Sequence, residues 1–304
     1  MNVLQYAKGV EKLVDPMMVG QSHYMQTKLA KLPIWLQKKF VNSKTKTATK
    51  MPFVVEPYCT FLFYEIPDPT KIQKFMPTGF VPAKSKIFAT ADATKYYGIV
   101  SMFRIHTSVF WGARAEYYLV AENTATGLLS WVMMDYISDT ISYDEINGLK
   151  SPNVKAAVMT TTCEGDFVCE MKSIDGRKKV ECLANLKHAK MKPLNQKLWI
   201  EGNTSIAYGR LAGEPDGDLF SLTFMPEEMT EALEIPIEDV QFASATTATT
   251  GKFGAELERV VSFPYAQHML SDSPGTHTHY GSEQALRRAA ESVKFSTIKS
   301  FGDK

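Results

Sequence analysis

Three short groups of side chains in this chain have the types and spacing that acid–base chemistry needs. Tyr143-Asp144-Glu145 lies in a polar stretch running to Gly148. A carboxylate at the mouth of an apolar pocket loses water, its pKa rises, and it becomes a competent base near neutral pH. In a solvated turn the same residues are ordinary loop chemistry. Arg104 and His106 sit two apart in an apolar run and therefore face one side of a strand. On an inward face, a cation and an imidazole hold a carboxylate or polarise a carbonyl, stabilising the enolate formed when a neighbouring carbon loses its proton; on an outward face they are only solvated. Arg114 and Glu116 repeat this spacing in the next run, with Tyr117 and Tyr118 behind them, and an internal salt bridge is the commoner role for such a pair. His277 and His279 offer two imidazoles without the third protein ligand of a catalytic zinc site. No metal is expected.

Composition narrows the field further. Lys and Arg number 34 against 33 Asp and Glu in 304 residues, so no global field favours nucleic acid, and none is expected as a partner. Neither a Gly-x-Gly-x-x-Gly turn, a phosphate loop nor a Gly-x-Ser-x-Gly elbow occurs, which leaves nucleotide cofactors and serine hydrolysis without support. No cofactor is expected. Four cysteines, Cys59, Cys163, Cys169 and Cys182, lack CxxC spacing and read as reduced, structurally buried thiols. With no signal-type leader and no run of ~20 apolar residues, the expectation is a soluble, cytoplasmic protein. Fifteen Met and 17 Phe suit a roomy apolar pocket or simply a well-filled core.

These groups must be positioned by short strands. β-type runs bounded by turn residues are expected at 58–64, 99–105, 117–121, 128–134, 154–161, 167–172, 180–186, 198–207, 219–224 and 240–247. Asp175-Gly176 supplies the positive φ of a tight hairpin. Some ten strands without a βαβ rhythm indicate a mainly β (α+β) fold, an antiparallel β-barrel or double-sheet cone. Helices are expected at 68–76 and, behind a Ser282 cap, at 282–299. Residues 22–42 place Met25, Leu29, Leu32, Leu36 and Phe40 at helical spacing among lysines, with a break near Pro33. This segment packs on the domain or a sister subunit, or it touches a membrane surface transiently while taking up a lipidic substrate. Residues 43–50 read as a linker. The chain divides into a basic helical extension, 1–50, and a β domain, 51–304, in an assembly expected to be a homo-oligomer because monomers rarely expose large apolar faces.

The stretch from Tyr136 to Lys150 resembles the active-site loop of the acetoacetate decarboxylase superfamily, acidic-x-x-x-Tyr-Pro-Lys-Lys-x-Gly. Asp139, Tyr143 and Gly148 keep its frame, while Asp144 and Glu145 stand where Pro and the Schiff-base Lys belong. Tyr58 to Phe80 resembles the family's first strand, helix and Met-Pro turn, and Gly112 to Tyr117 its Gly-x-x-x-acidic-Tyr strand. Glu56 falls where the family has a substrate-pairing Arg, and Arg104 to His106 near where it has a second carboxylate, so both charges are inverted. A carboxylate forms no imine, but it can take a proton next to a ketone. The resemblance therefore implies the family scaffold with altered chemistry. Glu145 would be the base; Tyr143, Arg104 and His106 its catalytic partners; Asp139, Arg114, Glu116 and Tyr117 would bind substrate. The implied reaction is double-bond isomerisation of an oxo fatty acid. Schiff-base decarboxylation or aldol-type chemistry through Lys150 or Lys155, and a non-catalytic barrel binding an apolar ligand, remain open alternatives.

Overall fold

A computed structural model of the chain describes residues 1–14, 16–37, 39, 50–90, 93–107, 110–140, 142–144, 148–150, 152–209, 219–244, 256–272 and 280–298. Its spine is a large sheet in which Glu231–Ile235, Glu256–Phe263, Cys59–Glu65, Lys95–Thr107, Trp111–Asn123 and Leu129–Ser138 pair in that order, each antiparallel to the next. Met51–Val55 joins the end of Lys95–Thr107 and also pairs with Gln267–Ser271. A second antiparallel sheet holds Val154–Thr161, Asp166–Ser173, Lys179–Asn185 and Val240–Ser244. Ser142–Asp144 and Gly148–Lys150 form a separate two-stranded ribbon.

The main path of the large sheet runs from Lys190–Pro193 to Leu219–Phe220; one residue further on, Leu222–Phe224 pairs with Gln267–Ser271, which leads back through Met51–Val55 to Lys95–Thr107. Mainly β architecture with large, mostly antiparallel sheets and few helices stands as expected. Among the described residues one pairing is parallel, Ile206–Tyr208 against Leu129–Ser138.

The large sheet is buried on both faces. Tyr118, Trp131, Phe61, Phe263 and Trp199 fill one side, with Trp199 lying 5.1 Å from both Phe61 and Phe263 in edge-on contacts, each such pair worth about 0.5–1.5 kcal/mol beyond area burial. Leu62, Met102, Tyr117, Met159, Phe167 and Cys169 fill the other, between the two sheets. Central strands covered on both faces need no apolar–polar alternation, which is why the run 99–105 is almost uniformly apolar.

Helices depart most from expectation. Val3–Glu11 lies in the 1–50 extension expected to be helical, ahead of the periodic run at 22–42; it is closed by a reciprocal Asn2–Gln5 capping box and packs Tyr6 and Val10 against Val54, Leu270 and Ala290. Residues 198–204, expected as strand, form helical turns, Lys197–Glu201 and Gly202–Thr204. Leu198, Trp199 and Ile200 are all buried, and a short all-apolar run carries no period to separate helix from strand. The 68–76 helix is a single turn, Thr70–Gln73, and the C-terminal helix ends early, Glu283–Glu291, with Ser282 Oγ accepting from Ala285 N as expected. The break near Pro33 is present: helix Pro16–Leu29 ends, and the Gln37 amide donates to Leu32 O (2.7 Å), occupying a carbonyl the broken helix would leave open.

Candidate functional site

Arg104 and His106 do share one face of Lys95–Thr107, and they converge on a partner about fifty residues upstream. Glu56 follows the end of Met51–Val55, where its N–H donates to Arg104 O (2.9 Å). Its Oε1 lies 2.5 Å from His106 Nε2 and accepts from Trp111 Nε1 (3.1 Å), while Oε2 is 3.3 Å from Arg104 Nε. The Arg104 guanidinium stacks 4.6 Å from the Trp111 ring centroid and also donates to Met159 O (3.3 Å). Strand register explains the meeting: Trp111 is the cross-strand partner of His106, and Val54 its partner on the other side. The hydrogen bond from His106, followed by that from Trp111 and the charge of Arg104, holds the Glu56 carboxyl below its ordinary value against the opposing effect of burial.

Beside this cluster opens a cavity of about 360 Å³, lined by Glu56, Arg104 and Trp111, by Thr160 and Thr161, and by Phe103, Met159 and Phe167, so charged, hydroxyl and apolar groups share its wall. Tyr58 borders it at φ +66°, the left-handed region that costs a non-glycine residue of order 1–3 kcal/mol and persists only when its surroundings enforce it. Here the enforcing contact is its N–H to Phe263 O (2.5 Å).

The second Arg–carboxylate pair lies on the opposite face. Arg114 Nε is 2.6 Å from Glu116 Oε1, and Arg114 Nη1 donates to Thr140 Oγ1 (2.8 Å) and more weakly to Ser138 Oγ (3.4 Å). The Tyr118 hydroxyl donates to Glu116 Oε2. Both side chains are nearly inaccessible, 10% and 6%. Burial, the largest single effect, depresses the Arg114 pKa, but the Glu116 charge together with Tyr136, the hydrogen bond to Glu116 and Tyr118 outweighs it, and the net shift is upward. Nearby Cys59 is inert: burial first, and the Glu116 charge second, push its thiol well above the ordinary value. Cys163 is exposed, the one cysteine that departs from the expected burial.

Of the other anticipated residues, Asp139 accepts from Ala113 N (2.7 Å) and packs so closely on Gly112 that a Cβ there would fall 2.3 Å from Asp139 Oδ1. The glycine is thus what lets Asp139 and Thr140 pack against Trp111–Asn123; burial raises the Asp139 carboxyl. Tyr117 faces the inter-sheet core, away from Arg114 and Glu116. Tyr143 stands opposite Leu149 in the two-stranded ribbon. Glu145, His277 and His279 lie outside the described residues. Among those that are described, no group of three His, Cys, Asp or Glu could hold a metal ion, and no helix is long and apolar enough to cross a membrane.

Glu56 and Trp111 are the site residues that sequence reasoning did not assign. A signal for Glu56 existed: the two charge inversions relative to the family pattern, at 56 and at 104–106, are contact partners in space.

The protein is thus a mainly β chain of two packed sheets with a cavity of mixed charged and apolar lining at their seam. Among solved structures it is similar to the crystal structure of an acetoacetate decarboxylase from Legionella pneumophila subsp. pneumophila, with a TM-score of 0.45 and 10% identity, covering 75% of this chain and 87% of that one. No family model and no curated protein matches the sequence.

Proposed function

We propose that this protein is a cofactor-independent enzyme that moves a proton on carbon next to a ketone, with double-bond isomerisation of an oxo fatty acid as its reaction. The observation that carries the reading is the Glu56–Arg104–His106–Trp111 cluster beside a cavity that Phe103, Met159 and Phe167 also line. A guanidinium held in place by a carboxylate and an indole is a preorganised partner for an oxygen that gains negative charge during reaction. Apolar walls of Phe103, Met159 and Phe167 suit the acyl chain.

In this reading Arg104 supports the enolate oxygen, and Glu56, ionised and hydrogen-bonded, orients Arg104 and His106 rather than acting as base, because a carboxyl held below its ordinary value is a weaker proton acceptor. Glu145, in the segment joining the two ribbon strands, is the base assigned from its place in the sequence. It removes the α-proton, electrons shift into a dienolate, and the proton returns at the γ-carbon, so the double bond moves without net gain or loss of atoms.

The test is solvent exchange. In D₂O, the wild type should place deuterium at the α- and γ-carbons of an unsaturated oxo fatty acid, and Glu145→Gln should slow this by about 10²–10⁴-fold. Absence of exchange by the wild type would overturn the reading. So would loss of activity on borohydride treatment with a ketone, the signature of an imine on a lysine such as Lys150 or Lys155.

A further inference from the structure

The N-terminal segment carries a surface that the catalytic reading does not use. Helix Pro16–Leu29 and the turn after Pro33 expose Met17 (74%), Tyr24 (63%), Met25 (55%), Ile34 (47%) and Trp35 (67%). Met17, Tyr24 and Met25 are spaced i, i+7 and i+8, which puts them on one helix face. Lys28 lies 5.3 Å over the Tyr24 ring, and Lys31 and Lys39 are exposed beside the same segment. From Pro16 to Val55 the chain has seven lysines and no Asp or Glu, although the whole protein is almost neutral. The remaining 27 Lys and Arg face all 33 Asp and Glu. Charge is therefore segregated, with the positive share on the segment that also leaves its aromatic and aliphatic side chains in water.

We infer that this segment is a docking surface for an anionic membrane, which it meets in the plane of the headgroups. Trp and Tyr prefer the depth where lipid chains meet headgroups, and lysines around them gain from acidic lipid. A second copy of the chain fits poorly, since a two-fold contact would lay one lysine-rich face on another. The surface stands apart from the catalytic proposal, and its test needs no substrate.

Full-length protein is sedimented with vesicles of phosphatidylcholine alone and of phosphatidylcholine with phosphatidylserine. Wild type should bind the phosphatidylserine vesicles, less so as salt rises, and bind neutral vesicles weakly. Combined Lys28→Gln, Lys31→Gln and Lys39→Gln should weaken binding on the order of a hundredfold, at roughly fivefold per lysine. Trp35→Ser should weaken it roughly tenfold or more. These positions are exposed, so circular dichroism and melting should stay as in wild type. The inference is overturned if wild type ignores acidic vesicles, if either variant binds as well as wild type, or if neutral vesicles bind equally. It is also overturned if light scattering shows a dimer that Trp35→Ser dissolves, for then a second copy covers the face.

Discussion

Arg104 with Glu56 and Arg114 with Glu116 are two arginine–carboxylate pairs on neighbouring strands, yet they occupy opposite chemical situations. Cross-strand register sets Arg104 against Ala113 and Phe103 against Arg114, and paired positions share a face, so the two arginines point to opposite sides of the sheet. Arg104 and Glu56 keep 25% and 32% of their side-chain surface beside the cavity; Arg114 and Glu116 are sealed in with Thr140 and Tyr118. A sealed pair has its partners fixed and acts as architecture for the loop that leaves Leu129–Ser138. An open one can exchange a partner for a ligand.

Arg114→Ala should produce the largest loss of stability, about 3–5 kcal/mol, because it strands the Glu116 carboxylate in the core. Urea unfolding measures this, and a loss near zero would remove the distinction between the pairs. Glu56→Gln, by contrast, should cost less than about 1 kcal/mol, since partly solvated ion pairs contribute little. A loss as large as that of Arg114→Ala would make the open cluster structural too.

Tyr58→Gly sharpens the cavity side of the comparison. It should relieve left-handed strain and change stability by within about 1 kcal/mol in either direction, whereas the same change in an unstrained core tyrosine such as Tyr117 should cost several. The smallest expected effect concerns pH. Glu56 has a folded-state pKa below its unfolded value of 4.5, so its contribution is present above pH 4.5 and is lost as pH falls through the lowered folded value. Melting curves between neutral and acid pH should therefore show a shallow acid decline that Glu56→Gln flattens; an unchanged decline would assign the acid sensitivity elsewhere.

What the sequence made legible follows the range of the interaction that decides it. Local chemistry was readable: Val154–Thr161 forms as expected, and the Asp175-Gly176 turn joins its two strands with Gly176 at φ +71° and the Asp175 carboxylate accepting from Ser173 Oγ and Arg177 N. The period-two spacing of Arg104 and His106 correctly put them on one face. Non-local choices were not readable. Which face that was, and that Glu56 would meet it, depend on register between strands fifty residues apart. Residues 198–204 are buried apart from the half-buried Glu201, so burial erased the periodicity that separates helix from strand. Which strands lie side by side is likewise a property of the whole strand order, which no single run encodes.

We propose that the open pair carries the chemistry and the sealed pair the fold. Arg104→Met separates the two roles, with solvent-deuterium exchange into an unsaturated oxo fatty acid and urea unfolding measured on the same preparation. Exchange should slow by about 10²–10³-fold, the loss typical of removing one donor to a developing oxyanion, with unfolding free energy within about 1 kcal/mol of wild type. Exchange at the wild-type rate, or a slowing explained by equal loss of folded protein, would contradict it.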